Sequence, residues 1–172
     1  MGRRGKAIVV ALALVAGACA GSQPQRRSDE PHGAGSPLPA IALPLLQGGT
    51  WRSSDALGSV LVVDIWATWC KPCRKGFPLL DEIARKHRDA RFVAISLDEA
   101  EATVRAFLDD VPTELPIALD SAQWSTKAPL EIARVPTVLV VDARGIVRLR
   151  LEEPSAEDYA RVELTVARLL AE

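Results

Sequence analysis

Cys70 and Cys73, in the run Trp69-Cys70-Lys71-Pro72-Cys73, are the residues whose types and spacing promise chemistry. Two thiols separated by two residues can close to a disulfide and open again, provided one of them ionises near neutral pH. The pair follows a compact β-branched run, Val60-Leu61-Val62-Val63-Asp64-Ile65, and opens a stretch of helical periodicity. That context gives a C-x-x-C spacing redox meaning. A thiol in the first turn of a helix sits beside unpaired backbone N–H groups and the positive end of the dipole, so its thiolate is favoured. Cys70 is therefore the expected nucleophile. Cys73, one turn further in and more buried, is expected to resolve the mixed disulfide that Cys70 forms with a target. Pro72 suits the first turn, where a missing N–H costs nothing, and stiffens the loop between the sulfurs. Lys71 brings a cation that lowers the Cys70 pKa if it stays close; its alternative is a solvated surface lysine.

Two other uses of the pair stay open. Half of a zinc site would need two more ligands, and Cys19, His32 and His87 are the remaining Cys and His residues. A structural disulfide suits an oxidising compartment, although so short a ring restrains an unfolded chain little. The favoured reading has no metal and no cofactor beyond the Cys70–Cys73 disulfide.

The elements that must position this pair follow from periodicity. Residues 43–51, with the Gly48-Gly49 turn, predict a short hairpin, and residues 60–65 predict a central strand buried on both faces. Over residues 71–88, Cys73, Phe77, Leu80, Ala84 and His87 recur along one helical stripe, with Pro78 placed to kink it. A second buried strand is expected over 91–97, an amphipathic helix over 99–108, a short strand over 115–119 and a helical segment over 121–133. Strands at 137–141 and 146–151 flank Asp142-Ala143-Arg144-Gly145 as an antiparallel hairpin. A last helix over 155–170 has Ser155 as N-cap, Glu157 and Asp158 in its first turn, and an apolar stripe through Tyr159, Val162, Val166 and Leu169. The expected fold class is α/β, a mixed central sheet flanked by helices on both faces.

The chain has 172 residues, 48% of them apolar, enough for one domain with a sizeable core. With 21 basic and 22 acidic residues it offers no global field to attract nucleic acid, and none is expected as a partner. Residues 1–18 read as an export signal: Arg3, Arg4 and Lys6, an apolar run, then small residues before Cys19. The apolar run is too short for a bilayer span. Val15-Ala16-Gly17-Ala18-Cys19 resembles a bacterial lipoprotein processing site, with Cys19 as the lipid anchor, though Ala16 stands where leucine is usual. Ordinary signal-peptide cleavage is the alternative. Lipidation would leave Cys70 and Cys73 as a self-contained pair. Residues 19–39, rich in Gly, Pro, Ser and charge, read as a flexible tether, and 40–172 as the folded domain.

These residues resemble the thioredoxin superfamily, and within it the membrane-anchored TlpA-like and ResA-like group. Residues 60–78 carry the resemblance most strongly, through Trp66-Ala67-Thr68-Trp69-Cys70 and Pro78. Val135-Pro136-Thr137 resembles that family's cis-proline loop, which offers backbone groups to an incoming peptide; the alternative is a trans proline opening a strand. Leu97-Asp98, Leu115-Pro116-Ile117 and Leu119-Asp120 resemble the group's insert. Asp64 aligns with thioredoxin's buried aspartate. Desolvation there should raise its pKa toward neutrality and let it accept the Cys73 proton through a water, and the alternative is a hydrogen-bonded structural carboxylate. Trp66 and Trp69 are expected to pack around the site, with Trp69 shaping a docking surface alongside Lys71, Pro72, Val135 and Pro136.

The resemblance implies a protein-disulfide reductase of exported proteins, with apocytochrome c and copper-site cysteines as candidate targets. It implies a membrane thiol that supplies electrons, a monomer, and a periplasm-facing lipoprotein of the cell envelope. Lys71-Pro72 differs from thioredoxin's Gly-Pro, so the reduction potential does not carry over. A redoxin-type peroxidase and a copper chaperone using the dithiol are the alternatives.

Overall fold

The computed structural model describes residues 1–2, 33–123 and 126–172. The rest of the expected leader, Cys19 and His32 lie outside the described residues. In chain order the elements are β1 (Ala42–Pro44), β2 (Thr50–Arg52), a 3-10 turn (Ser53–Ala56), β3 (Leu61–Trp66), α1 (Lys71–Lys86), β4 (Arg91–Ser96), α2 (Glu101–Asp110), β5 (Ile117–Leu119), β6 (Thr137–Val141), β7 (Val147–Glu152) and α3 (Ala156–Leu170).

The β-branched run around residue 63 becomes β3, all six of whose residues are buried. It holds the middle of a five-stranded sheet ordered β5-β4-β3-β6-β7. β4 lies parallel to β3, and β5 parallel to β4, while β6 and β7 run antiparallel to their neighbours. Because side chains alternate across a strand, β3 feeds two cores. Val62 and Trp66 enter one, and Leu61, Val63 and Ile65 the other.

All three α-helices cover the first of these cores. Cys73, Phe77, Leu80 and Ile83 of α1 meet Val104 and Phe107 of α2 and Tyr159, Val162, Val166 and Leu169 of α3 there. The thioredoxin-like α/β class holds, but the expected placement of helices on both faces does not. The segment 121–133, expected to be helical, forms turns among its described residues. Pro129 has no N–H to give. Leu130 N–H donates to the Thr126 carbonyl, Glu131 N–H to Ala128 and Ile132 N–H to Lys127, a mixture of spacings that no regular helix has. Gln123 and Glu131 take φ of 58° and 50°, the left-handed region, which also ends helical propagation. Those turns still deliver Leu130 and Ile132 to the second core, beside Ile41 and Leu43 of the hairpin and Ala56 of the 3-10 turn.

The expected hairpin is β1 paired with β2. It covers the short edge strand β5 through a Leu46 N–H bond to the Ile117 carbonyl and a bridge between Leu45 and Ala118, shielding an edge that would otherwise be open to pairing. The stretch matched to the insert is α2 with β5. The bonded frame also reaches back into the segment read as tether: Gly35 N–H donates to the Val147 carbonyl and Leu38 N–H to Gly145, with Pro37 bridging Ile146.

Ser155 caps α3 as its sequence predicts, in a reciprocal box. The Asp158 N–H donates to Ser155 Oγ at 3.3 Å and the Ser155 N–H to Asp158 Oδ2 at 3.0 Å. Ser155→Ala is expected to lower the free energy of urea unfolding by about 1 kcal/mol; an unchanged midpoint would show that the cap contributes nothing.

Candidate redox site

β3 ends at Trp66, and the loop 67–69 carries the chain from the middle of the sheet to α1. Asp98, just beyond the neighbouring β4, holds that loop. Its carboxylate accepts the Thr68 N–H at 2.9 Å, the Thr68 hydroxyl at 2.7 Å and the Ser96 hydroxyl at 2.8 Å. Cys70 N–H donates to the Ala67 carbonyl at 3.1 Å. So held, Cys70 becomes the N-cap of α1, with Lys71 and Pro72 in the first turn. The Cys73 N–H points back at Cys70 Sγ, 3.2 Å away. The same N–H lies 3.2 Å from the Cys70 carbonyl, so it is shared between that oxygen and the sulfur expected to ionise.

Cys70 and Cys73 are joined as a disulfide, their Cα atoms 5.4 Å apart. Cys73 is 1% exposed and Cys70 4%, the order expected of a resolving and an attacking sulfur. Beneath them Trp66 meets Phe77 edge-on at 4.8 Å between ring centroids and Phe107 at 4.9 Å. Of the two tryptophans expected to pack at the site only Trp66 does so. Trp69 is 68% exposed and stands out beside the sulfurs. Lys71 is exposed and makes no ion pair among the described residues.

The Val135–Pro136 peptide is cis, as the resemblance to a cis-proline loop implies. Thr137 opens β6 opposite Ile65 of β3, so Pro136 lies at the same end of the sheet as the dithiol loop. The Pro136 carbonyl accepts the Glu153 N–H and the Arg134 carbonyl accepts the Thr137 hydroxyl. The Val135 backbone between them has no partner among the described residues and stays open to an incoming chain.

Asp64 is 2% exposed and its Oδ1 has no hydrogen-bond partner among the described residues. It alternates with Val62 and Trp66 and so lies on the helix-covered face, in register with Ala94 of β4 and Val138 of β6. Burial among apolar neighbours pushes its carboxyl up to about 7. The alternative of a hydrogen-bonded structural carboxylate finds no bond to support it. His87, expected at a helix C-terminus, is the C-cap of α1, with Nε2 3.8 Å from Glu163 Oε1. Among the described residues no cluster of His, Cys, Asp or Glu is arranged to hold a metal.

Sequence reasoning missed Asp98 as the brace of the dithiol loop. A signal was present, since Ser96-Leu97-Asp98 ends a buried strand parallel to the one that leads to Cys70. It also gave Gly76 no role and Tyr159 only a place in an apolar stripe.

A helix-capping dithiol at the carboxyl end of a central strand, beside a cis-proline loop and over a buried acid, defines a thioredoxin-like thiol-disulfide redox domain. The AhpC/TSA family model matches residues 34–150, and the chain belongs to that family. It is 30% identical over 118 residues to the thioredoxin-like protein YneN of Bacillus subtilis, covering 66% of this chain and 68% of that one. It is 26% identical over 113 residues to the thiol-disulfide oxidoreductase ResA of Bacillus thuringiensis, covering 64% of this chain and 65% of that one. The chain thus spans about two thirds of the length of these curated relatives. Among solved structures, a Chlorobium tepidum protein described as a thiol:disulfide interchange protein, DsbE, superposes with a TM-score of 0.75 at 30% identity, covering 80% of this chain and 97% of that one. Family, fold and dithiol together make this chain a thiol-disulfide oxidoreductase.

The raised Asp64 pKa has a consequence for stability. An acid whose pKa is higher folded than unfolded favours folding while it is protonated, and that contribution is lost as pH rises. From the ordinary value of 3.8 to about 7, the oxidised protein should lose about 4 kcal/mol. Urea unfolding across this range checks it, and Asp64→Asn should flatten the dependence.

Proposed function

We propose that the protein reduces disulfides of exported proteins, with Cys70 as nucleophile, Cys73 as resolving thiol and Asp64 as acceptor of the Cys73 proton. The observation that carries this reading is the Cys73 N–H bonded to Cys70 Sγ at the start of α1. When the pair is reduced, that N–H and the helix dipole stabilise a Cys70 thiolate. The thiolate attacks a target disulfide and forms a mixed disulfide, and Cys73 displaces the target thiol. Asp64, poised near neutrality, is matched to take the Cys73 proton at the pH where the reaction runs. Trp69 and the open Val135 backbone dock the target strand on either side of the sulfurs, beside Lys71 and Pro72.

Export rests on the leader-like residues 1–18, and attachment to a membrane on acylation at Cys19 followed by the polar stretch that precedes the bonded residues 35–38. No helix among the described residues is long and apolar enough to cross a membrane. In this reading the domain works as a monomer on the periplasmic side of the envelope and draws electrons from a membrane thiol donor. Relatives named thiol-disulfide oxidoreductase ResA and thiol:disulfide interchange protein DsbE support the dithiol exchange of this reading, whose targets would be cysteines of apocytochrome c or of copper sites. A redoxin-type peroxidase is the second reading; peroxide consumption with a dithiol reductant would favour it.

Insulin-turbidity assays with a dithiol reductant test the reductase. Cys70→Ser should abolish activity, and Cys73→Ser should accumulate a mixed disulfide visible by mass spectrometry. Wild-type behaviour of Cys70→Ser would reject the proposal. Asp64→Asn should slow resolution by a factor of about 100, read as longer-lived mixed disulfide.

A further inference from the structure

A groove of about 390 Å³ runs from the dithiol loop along the seam between the starts of α1 and α3. Lys71 and Pro72, the two residues between the sulfurs, begin one wall, and Lys75 and Leu79 continue it along α1. Pro154 and Ser155 form the wall opposite. The floor is Gly76 and Tyr159, both buried. Glycine weakens a helix interior by its backbone freedom. Here it is required, because a Cβ on Gly76 would collide with the Tyr159 hydroxyl of α3.

The charge on the α1 wall is one-sided. Lys71 and Lys75 are both exposed, and among the described residues neither makes an ion pair. They stand at i and i+4, where like charges repel, and near the positive end of the helix dipole, which disfavours a cation. α1 has no acid in its first turn to offset them, whereas α3 carries Glu157 and Asp158 in its own. Arg74, the third cation here, is engaged elsewhere: it stacks over Phe107, 4.7 Å from the ring centroid, and pairs with Asp110. The acids that flank the opposite wall are engaged as well. Glu153 pairs with Arg134 and Asp158 with Arg161, each at 2.9 Å, and Glu157 accepts the Ser155 hydroxyl. None of the three lines the groove. The fold thus keeps two uncompensated cations beside the reactive sulfur, against the preference of the helix that carries them.

We propose that this groove docks an acidic stretch of the target, next to the cysteine that Cys70 attacks, with Lys71 and Lys75 selecting it. The inference rests on Cys70 attacking a target disulfide and adds the chemical class of the target. Spacing sets the pattern that is recognised. Four residues of helix advance about 6 Å. Alternate residues of an extended chain share a face and stand about 7 Å apart. Two acids separated by one residue therefore meet the two lysines. The same charges steer the encounter, so the preference is steepest at low salt.

Three peptides, each with one cysteine and oxidised to its symmetric disulfide, test this. One carries Glu-x-Glu beside the cysteine, one Lys-x-Lys and one Gln-x-Gln. The reduced protein is mixed with each, and the released peptide thiol is followed by acid quench and chromatography. Each rate is divided by that of the Gln peptide with the same protein. Comparing these ratios between proteins cancels the reactivity of the peptide and any effect of a variant on Cys70. The Glu ratio of the wild type should exceed that of Lys71→Gln/Lys75→Gln about tenfold at low salt, and the difference should shrink in about 0.5 M salt. Lys75→Glu should raise the Lys ratio above that of the wild type. Glu ratios within about twofold of each other in the wild type and the double variant would overturn the docking groove. The reductase then still stands, provided the Gln peptide is reduced and Cys70→Ser is inactive. If the wild type reduces none of the three peptides, the reductase reading fails and the acidic target falls with it.

Discussion

A helix begins where the central strand stops, and the rest of the site depends on that junction. In the first turn of α1 the Cys73 N–H is shared between the Cys70 carbonyl and Cys70 Sγ. Moving this helix start by one residue would leave the sulfur without its donor. The fold guards the position from both sides. Asp98 fixes the loop from the neighbouring strand, and Trp66, Phe77 and Phe107 fill the space beneath.

The two buried acids nearest the dithiol loop differ in how they are bonded. Asp98 accepts three hydrogen bonds and is a structural acid, whereas Asp64 Oδ1 has no partner among the described residues. Both are carboxylates at nearly equal depth, 8% and 2% exposed. What separates them is hydrogen bonding. The acid with partners is a fixed acceptor that braces a loop, and the acid without them is free to exchange a proton.

Much of this was legible in the residues. The run Val60-Leu61-Val62-Val63 has no reading other than a buried strand, and Cys-x-x-Cys with a proline in the first turn marks the helix that follows. Local signals also carried Ser155 as a cap and Gly145 as a hairpin turn. The helical signal over 121–133 was weak and interrupted by Pro129, and two left-handed residues, Gln123 and Glu131, complete the break in the hydrogen-bond ladder. The helix expected over 99–108 runs two residues later at each end, since no side-chain cap marks its start. Asp98 and Tyr159 gained their places only through contacts 30 or more residues away along the chain, which no local pattern encodes.

The pairing of residues 35–38 with the turn between β6 and β7 has a geometric result. β6 starts at the dithiol end of the sheet and runs antiparallel to β3, so that turn lies at the opposite pole. The polypeptide upstream of Gly33 accordingly enters the molecule at the end furthest from Cys70. A probe or surface that contacts residues 33–38 therefore meets the base of the sheet and leaves the dithiol end uncovered.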